Sequence, residues 1–317
     1  PSRAKRKVEI NDIIYSTVRP IQKHYGIIKE HIENLLVSTG FTTITTKPQA
    51  NSKFIYYFLT KNETIQNLQS LAEQSVSTYP SIKASDIENL IISLPPLETQ
   101  KKIASILSVL DDKIELNNAI NKNLEEQAQA LFNDMFPNIT LGDKTVGEFV
   151  TPKRGKGLLS KDAIFGDVPV VAGGLSPATY HNISNTVAPV ITISASGANA
   201  GFINLWHIPV WSSDSSFIDS QMTSDVYFWY VLLKKRQREI FEAQTGSAQP
   251  HIYPQHISAL QINEINIEEV NKYTENITPY FKKIGVNITE NKALSTLRDT
   301  LLPKLMSGEL DVSEIDF

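Results

Sequence analysis

The residue types that could do chemistry are thinly spread along these 317 residues. There is no cysteine, which excludes thiolate zinc sites, cysteine nucleophiles and disulfides. The histidines are scattered, and the spacing of His251 and His256 is the wrong step for one helical face. "KRGKGLLS" (Lys153 to Ser160) has the glycines and lysines of a phosphate loop without the Gly-x4-Gly-Lys-Ser/Thr order. "SASGANAGF" (Ser194 to Phe202) reads as a tight turn after a strand, since no Gly-x-Gly-x-x-Gly opens a helix there. "ENK" (Glu290 to Lys292) lacks the preceding Asp of a nuclease Glu-x-Lys site. "LPPL" at Leu94 lacks the Asn or Asp that begins an amino-methyltransferase tetrapeptide. The expectation is therefore a chain with no catalytic residue and no metal site.

Binding features are better represented. The formal charge is −4, yet residues 1 to 24 carry Arg3, Lys5, Arg6, Lys7, Arg19 and Lys23 against only Glu9 and Asp12. A second cluster, Lys153, Arg154, Lys156 and Lys161, surrounds two glycines where backbone could approach a phosphate. Polar loops such as "WSSDSS" (Trp211 to Ser216) lie nearby in sequence. Phosphate contacts would position such a protein on DNA, and amide, hydroxyl and ring side chains would read base edges. Candidate readers are Asn199, Gln244, Gln249, His251 and Tyr253, with Ser16, Thr17, Gln74, Ser77 and Tyr79 as their rough counterparts earlier in the chain.

Those counterparts exist because the chain repeats itself. At a constant offset of 170, Gln74, Pro80, Ile82, Ile87, Leu90 and Ile92 meet Gln244, Pro250, Ile252, Ile257, Leu260 and Ile262. The register continues gapless through Lys113, Ile114, Asn117 and Asn121, which meet Lys283, Ile284, Asn287 and Asn291. Upstream the match is looser: "NDIIYSTVRP" resembles "APVITISASG" as a short strand ending in a turn, and "SKFIYYFLTK" parallels the helix-like "SDVYFWYVLL". The second unit carries roughly 45 residues ahead of its first match where the first carries about ten. The expectation is that the first unit lacks its opening strands, lost or supplied by another polypeptide.

Two long helices follow the β-rich parts. Pro95 and Pro96 open the first and Pro137 closes it, giving Leu97 to Met135, about 60 Å at roughly 1.5 Å per residue. Its seam is Ile103, Leu107, Leu110, Ile114, Asn117, Asn121 and Leu124. The second is predicted to start after Asn266, paired with Glu269 in a capping box, and to kink at Pro279. Its seam includes Ile277, Ile284, Asn287, Asn291 and Leu294. Helices this long exceed what one small domain needs, so they are expected to pair as an antiparallel coiled coil. The fold class predicted is α+β: two mostly β domains joined by that coiled coil in a pseudo-two-fold internal repeat. The boundaries are 1–92, 93–140 for the central helix, 141–262, and 263–317 for the C-terminal helix and tail.

"LPPLETQKKIASILSVLDDKIELNNAINKNLE", "QALFNDMF" and the C-terminal "LRDTLLPKLMSGEL" resemble the specificity subunit of type I restriction–modification systems. The resemblance implies that residues 1–92 and 141–262 are target recognition domains, each reading one half of a split site in double-stranded DNA. The helices would set the gap between the halves and dock two modification subunits, with Lys101, Lys102, Lys113, Glu125 and Glu126 as contacts on their outer faces. It implies S-adenosylmethionine in those partners, ATP and Mg in restriction subunits, and no cofactor bound by this chain. A cytoplasmic setting follows as the default. From the sequence alone a protein-binding adaptor without nucleic acid, or a silent, partial specificity subunit, stays open. Salt-dependent DNA affinity separates the adaptor from the others.

Overall fold

The computed structural model describes residues 4–74, 79–246 and 249–314. It divides into two compact units, Pro1–Leu116 with Glu290–Phe317, and Asn117–Thr289.

The first unit opens with β1 (Ala4–Lys7), β2 (Ile13–Ser16), β3 (Tyr25–Ile27), β4 (Leu36–Ser38) and β5 (Phe41–Ile44). β2 is the centre of an antiparallel sheet ordered β3-β2-β5, while β1 and β4 pair separately. β2 reads Ile-Ile-Tyr-Ser, and period-two alternation buries Ile13 and Tyr15 on one face. Three helices follow, α1 (Ser52–Thr60), α2 (Asn62–Glu73) and α3 (Ala84–Glu88). Asn51 caps α1 by accepting from the Phe54 amide at 3.0 Å.

α4 (Leu97–Met135) starts after the proline pair and stops before Pro137. In this unit its first half buries Ile103, Ala104 and Leu107 against Phe54, Tyr57, Leu302 and Leu305. The glutamine of the Pro-Pro-Leu-x-x-Gln motif now has a physical reason. Gln100 is buried, donates to the carbonyls of Gln49 (3.1 Å) and Pro95 (2.8 Å), and accepts from the Asn51 amide (2.9 Å). It thereby ties the start of the long helix to the cap of α1.

The second unit adds β6 (Lys144–Thr145), α5 (Val146–Phe149), β7 (Lys153–Arg154), β8 (Val168–Val171), β9 (Thr179–His181), β10 (Val190–Ser194), β11 (Ile203–Trp206), β12 (Trp211–Ser212) and β13 (Ser215–Asp219). Then come α6 (Val226–Lys235), α7 (Gln237–Glu242), α8 (Pro254–Ser258) and β14 (Gln261–Ile262). The main sheet is ordered β11-β10-β13-β7 and a second one β12-β8-β9. α6 is apolar on nearly every side because it lies between that sheet and the long helices.

α9 (Ile267–Ser307) runs antiparallel to α4 within each unit. In the second unit Tyr273 donates to the Ala128 carbonyl at 2.9 Å and Asn287 Nδ2 donates to Asn121 Oδ1 at 2.7 Å. In the first, Arg298 meets Asp111 at 2.6 Å and Lys113 meets Glu290 at 3.7 Å. The antiparallel coiled coil is therefore real. Asn117 and Asn287 are fully buried, Asn121 and Asn291 half-buried. Ile277 and Ile284 are buried, whereas Leu110, Ile114, Leu124 and Leu294 are half-buried.

α9 is one continuous helix through Pro279, and Ile277 and Phe281, one turn apart around the proline, are both buried in the core. That packing outweighs the hydrogen bond the imide cannot make. Asn266 caps it by accepting from the Glu268 amide at 3.0 Å, one residue earlier than a capping box would have it. Lys102 donates to the Ser313 carbonyl (2.7 Å) and Lys113 meets Glu290, both at the surface. The Lys-Leu-x-Ser-Gly ending is also explained. Gly308 (φ 78°) ends α9 in the left-handed conformation, and the chain returns to bury Val312 beside Leu305 and Ile103.

Gly285 supplies a test of the helix packing. A Cβ there would lie 2.8 Å from the His207 ring, inside the second unit. Gly285→Ala gains about 1 kcal/mol of helix propensity but overpacks by about 1–3 kcal/mol. The single variant is expected to melt lower than wild type, and Gly285→Ala with His207→Ala to recover. A single variant that melts higher would show that His207 yields without cost.

Candidate nucleic-acid interface

The repeat unites both units at one loop arrangement. In the first unit the Ile82 amide donates to the Thr17 carbonyl (2.8 Å) and the Arg19 amide to the Pro80 carbonyl (2.9 Å). In the second, Ile252 donates to Ala195 (3.0 Å) and Gly197 to Pro250 (3.0 Å). The third strand contributes equivalently: Thr17 donates to the Gly40 carbonyl and Ala195 to the Asp214 carbonyl. A turn after the central strand is thus clasped by the segment that leads into α3 or α8. The sheets β3-β2-β5 and β11-β10-β13 correspond, strand by strand.

In the second unit this clasp gathers several of the expected residues. Gly155 and Lys156 donate to the Ser215 and Ser212 carbonyls at 2.8 and 2.9 Å, and Trp211 Nε1 donates back to the Lys156 carbonyl at 2.8 Å. Gly155 is required: a Cβ would come within 2.5 Å of the Ser212 oxygen. Lys153, Arg154 and Lys156 are exposed along this edge. Asp214 accepts from Arg154 Nη2 at 2.6 Å and from the Ser196 hydroxyl, so one of the three cations is partly neutralised. Thr245 and His251 exchange backbone hydrogen bonds at 3.0 and 2.8 Å, with His251 also bridged to Ser196. The His251 ring stacks on Tyr253 with centroids 5.9 Å apart, and Tyr253 meets His256 edge-on. That row of rings lies along the clasp, with Tyr253 and Gln249 exposed and Asn199 half-buried in the turn. Lys161 lies exposed on the separate turn Ser160–Asp162.

Other expected readers are otherwise engaged. The serines of "WSSDSS" are buried: Ser212 and Ser215 share a hydrogen bond at 2.8 Å inside the strands, leaving only Asp214 at the surface. Gln244 donates to the Ala200 carbonyl at 2.8 Å and shapes the turn. Ser16 is buried and donates to the Val18 carbonyl. Gln74 closes the end of α2. In the first unit Lys5, Arg6 and Lys7 stand exposed on β1, and Arg19 and Lys23 flank the turn Pro20–Gln22. Arg3 and Ser77 lie outside the described residues. Asp214 and Ser196 lie in the quoted stretches "WSSDSS" and "SASGANAGF", but their hydrogen bond to each other was not foreseen, because pairing between adjacent loops leaves no periodic signal. No group of three or more His, Asp or Glu side chains is placed to hold a metal among the described residues. No helix among them is long and apolar enough to cross a membrane.

The sheet and clasp are thus present in both units, with exposed cations at the loops of each. Comparison with known proteins finds these similarities. Residues 2–126 match the family model described as the type I restriction modification DNA specificity domain. The chain is 40% identical over 139 residues to the HindI specificity subunit of Haemophilus influenzae, covering 43% of this chain and 30% of that protein. It is 25% identical over 333 residues to the MjaIX specificity subunit of Methanocaldococcus jannaschii, covering 89% and 74%. The crystal structure of a type I restriction–modification S subunit from M. genitalium superposes with a TM-score of 0.57 at 22% identity, over 95% of this chain and 84% of that one. The chain is thus similar to type I specificity subunits, and its fold is that of the M. genitalium S subunit.

Proposed function

We propose that this chain recognises DNA as the specificity component of a type I restriction–modification complex. Each unit addresses one half of a split site through its clasp. Modification subunits, which would carry S-adenosylmethionine, and restriction subunits using ATP and Mg complete the assembly. This chain supplies recognition and scaffold, with no catalytic residue of its own. The observation that carries the reading is the clasp built twice, with the same backbone hydrogen bonds and exposed cations beside each. Two equivalent surfaces suit two half-sites, and the specificity-domain match over residues 2–126 agrees.

The test is co-purification with candidate modification subunits, then DNA titration at two salt concentrations. Assembly with salt-sensitive, sequence-selective binding is the expected result; assembly without DNA affinity would overturn the recognition role. Lys153→Glu with Lys156→Glu should weaken binding to all sequences alike. The slope of log affinity against log salt should shrink by about 0.9 for each phosphate that is no longer neutralised. An unchanged slope would remove this edge from the interface. Lys153 and Lys156 are chosen over Arg154 because Asp214 already holds the guanidinium.

A further inference from the structure

Four non-glycine residues among those described have positive φ: Asn11, Arg19, Lys23 and Asn34. Asparagine tolerates the left-handed region because its short side chain bonds locally. Arginine and lysine gain nothing comparable there and incur the steric cost. Yet Arg19 (φ 48°) and Lys23 (φ 56°) flank a single turn, Pro20–Gln22.

The repeat shows that the conformation belongs to the fold and the residue does not. Arg19 stands where the second unit has Gly197 (φ 80°), and both amides donate to the proline of the clasping segment. Glycine meets this backbone without penalty. The first unit places a long cation there instead. No ion pair compensates it among the described residues. Its guanidinium lies over the Tyr79 ring, 5.3 Å from the centroid, and both side chains are exposed. The turn beneath is firmly held: Gln22 donates to the Arg19 carbonyl (2.8 Å), Lys23 to Pro20 (2.9 Å), and the Ile21 amide to Gln69 Oε1 (3.2 Å).

We infer that Arg19, lying over Tyr79, is the base-reading residue of the first unit, and that Lys23 contacts a phosphate beside it. This rests on the DNA-recognition reading above. A planar guanidinium beside a ring presents a fixed fork of two parallel hydrogen bonds, and guanine O6 and N7 in the major groove accept such a pair. Strain retained at an exposed cation is explained by a contact made outside the chain. The second unit, with bare backbone at Gly197, reads its half-site with other groups, so the two half-sites differ in how they are recognised.

The full chain and its Arg19→Gly, Arg19→Lys and Lys23→Ala variants are incubated with a random duplex library, and bound DNA is sequenced. Melting curves are recorded alongside. Wild type enriches a split motif with a guanine in one half. Arg19→Gly loses that preference by about tenfold to a hundredfold, the scale of one bidentate base contact, and leaves the other half intact. Arg19→Lys also loses it, because charge without the fork does not suffice, and Lys23→Ala weakens all sequences alike. Arg19→Gly melts no lower than wild type. An unchanged motif in Arg19→Gly overturns the inference, as does a uniform loss of affinity with the motif preserved. A lower melting point in Arg19→Gly would assign Arg19 a structural role instead. A wild type that enriches no sequence overturns the recognition reading itself, and this inference with it.

Discussion

Phe132→Ala is expected to destabilise the second unit by about 3–5 kcal/mol, the range for deleting a fully buried aromatic side chain. Phe132 is completely buried on α4 and touches three other aromatic rings. Its centroid lies 5.2 Å from Phe136, 5.5 Å from Phe228 on α6 and 5.5 Å from Tyr273 on α9. Lys235 Nζ lies 5.6 Å above the same ring. One side chain therefore joins the long helices to the helix that covers the main sheet. Truncation leaves a cavity that these rings, each constrained by the others, cannot refill. Phe132→Leu keeps most of the volume and should cost far less. Urea denaturation measures both; similar losses for Ala and Leu would show that the cluster collapses into the gap.

Phe132 also shows how much of the fold was legible. The helix carrying it is bounded by punctuation alone, because prolines mark both ends and nothing between breaks the period. Its seam reads as a narrow stripe of apolar residues and asparagines. Phe132 and Phe136 fall beside that stripe, since in the second unit the helix packs on α6 as well as α9 and buries a wider face. The gapless register at an offset of 170 is real for α3 and α8, whose bounds correspond residue for residue. Upstream the match loosens because each loop between strands adds residues. Ile82 with Thr17 and Ile252 with Ala195 make the same bond despite the changed spacing.

The candidate interface was less legible than the scaffold. Lysines and arginines near glycines are visible as letters, and their exposure follows from the cost of burying charge. Whether a serine is a reader or a strand residue depends on which face of the pleat it takes. The serines of "WSSDSS" went inward because β12 and β13 pair with β8 and β10. Ser212 and Ser215 share a hydrogen bond and Ser213 accepts from the Leu158 amide, whereas the Ser216 hydroxyl is buried without a hydrogen-bond partner. The left-handed turn at Arg19 carried no sequence signal, because arginine does not announce positive φ as glycine does. Only the overlay of the two units on one backbone pattern exposes it.

Asp111→Ala is the second large effect, and it concerns the first unit. Asp111 on α4 accepts from Arg298 Nη1 at 2.6 Å and from the Tyr57 hydroxyl at 2.7 Å. Arg298 also donates to Asp299 at 2.8 Å. Asp111 and Arg298 keep only 28% exposure each, at the wall of a cavity of about 460 Å³ shared with Tyr25 and Tyr56. Burial, reinforced by the hydrogen bond to Asp111, pushes the Tyr57 pKa far up, so the hydroxyl stays a donor. Removing the carboxylate strands that donor and leaves a guanidinium partly out of water with one partner fewer. About 2–3 kcal/mol is the expected loss, below that of a fully buried pair because water still reaches the site. Asp111→Asn keeps one acceptor for Tyr57 and should lose about half as much. Asp112→Ala is the control: its partner Lys29 is 3.5 Å away and both are more than half exposed, so little change is expected. Equal losses at positions 111 and 112 would mean that helix propensity, and not the three-residue network, sets the stability of this end of the coiled coil.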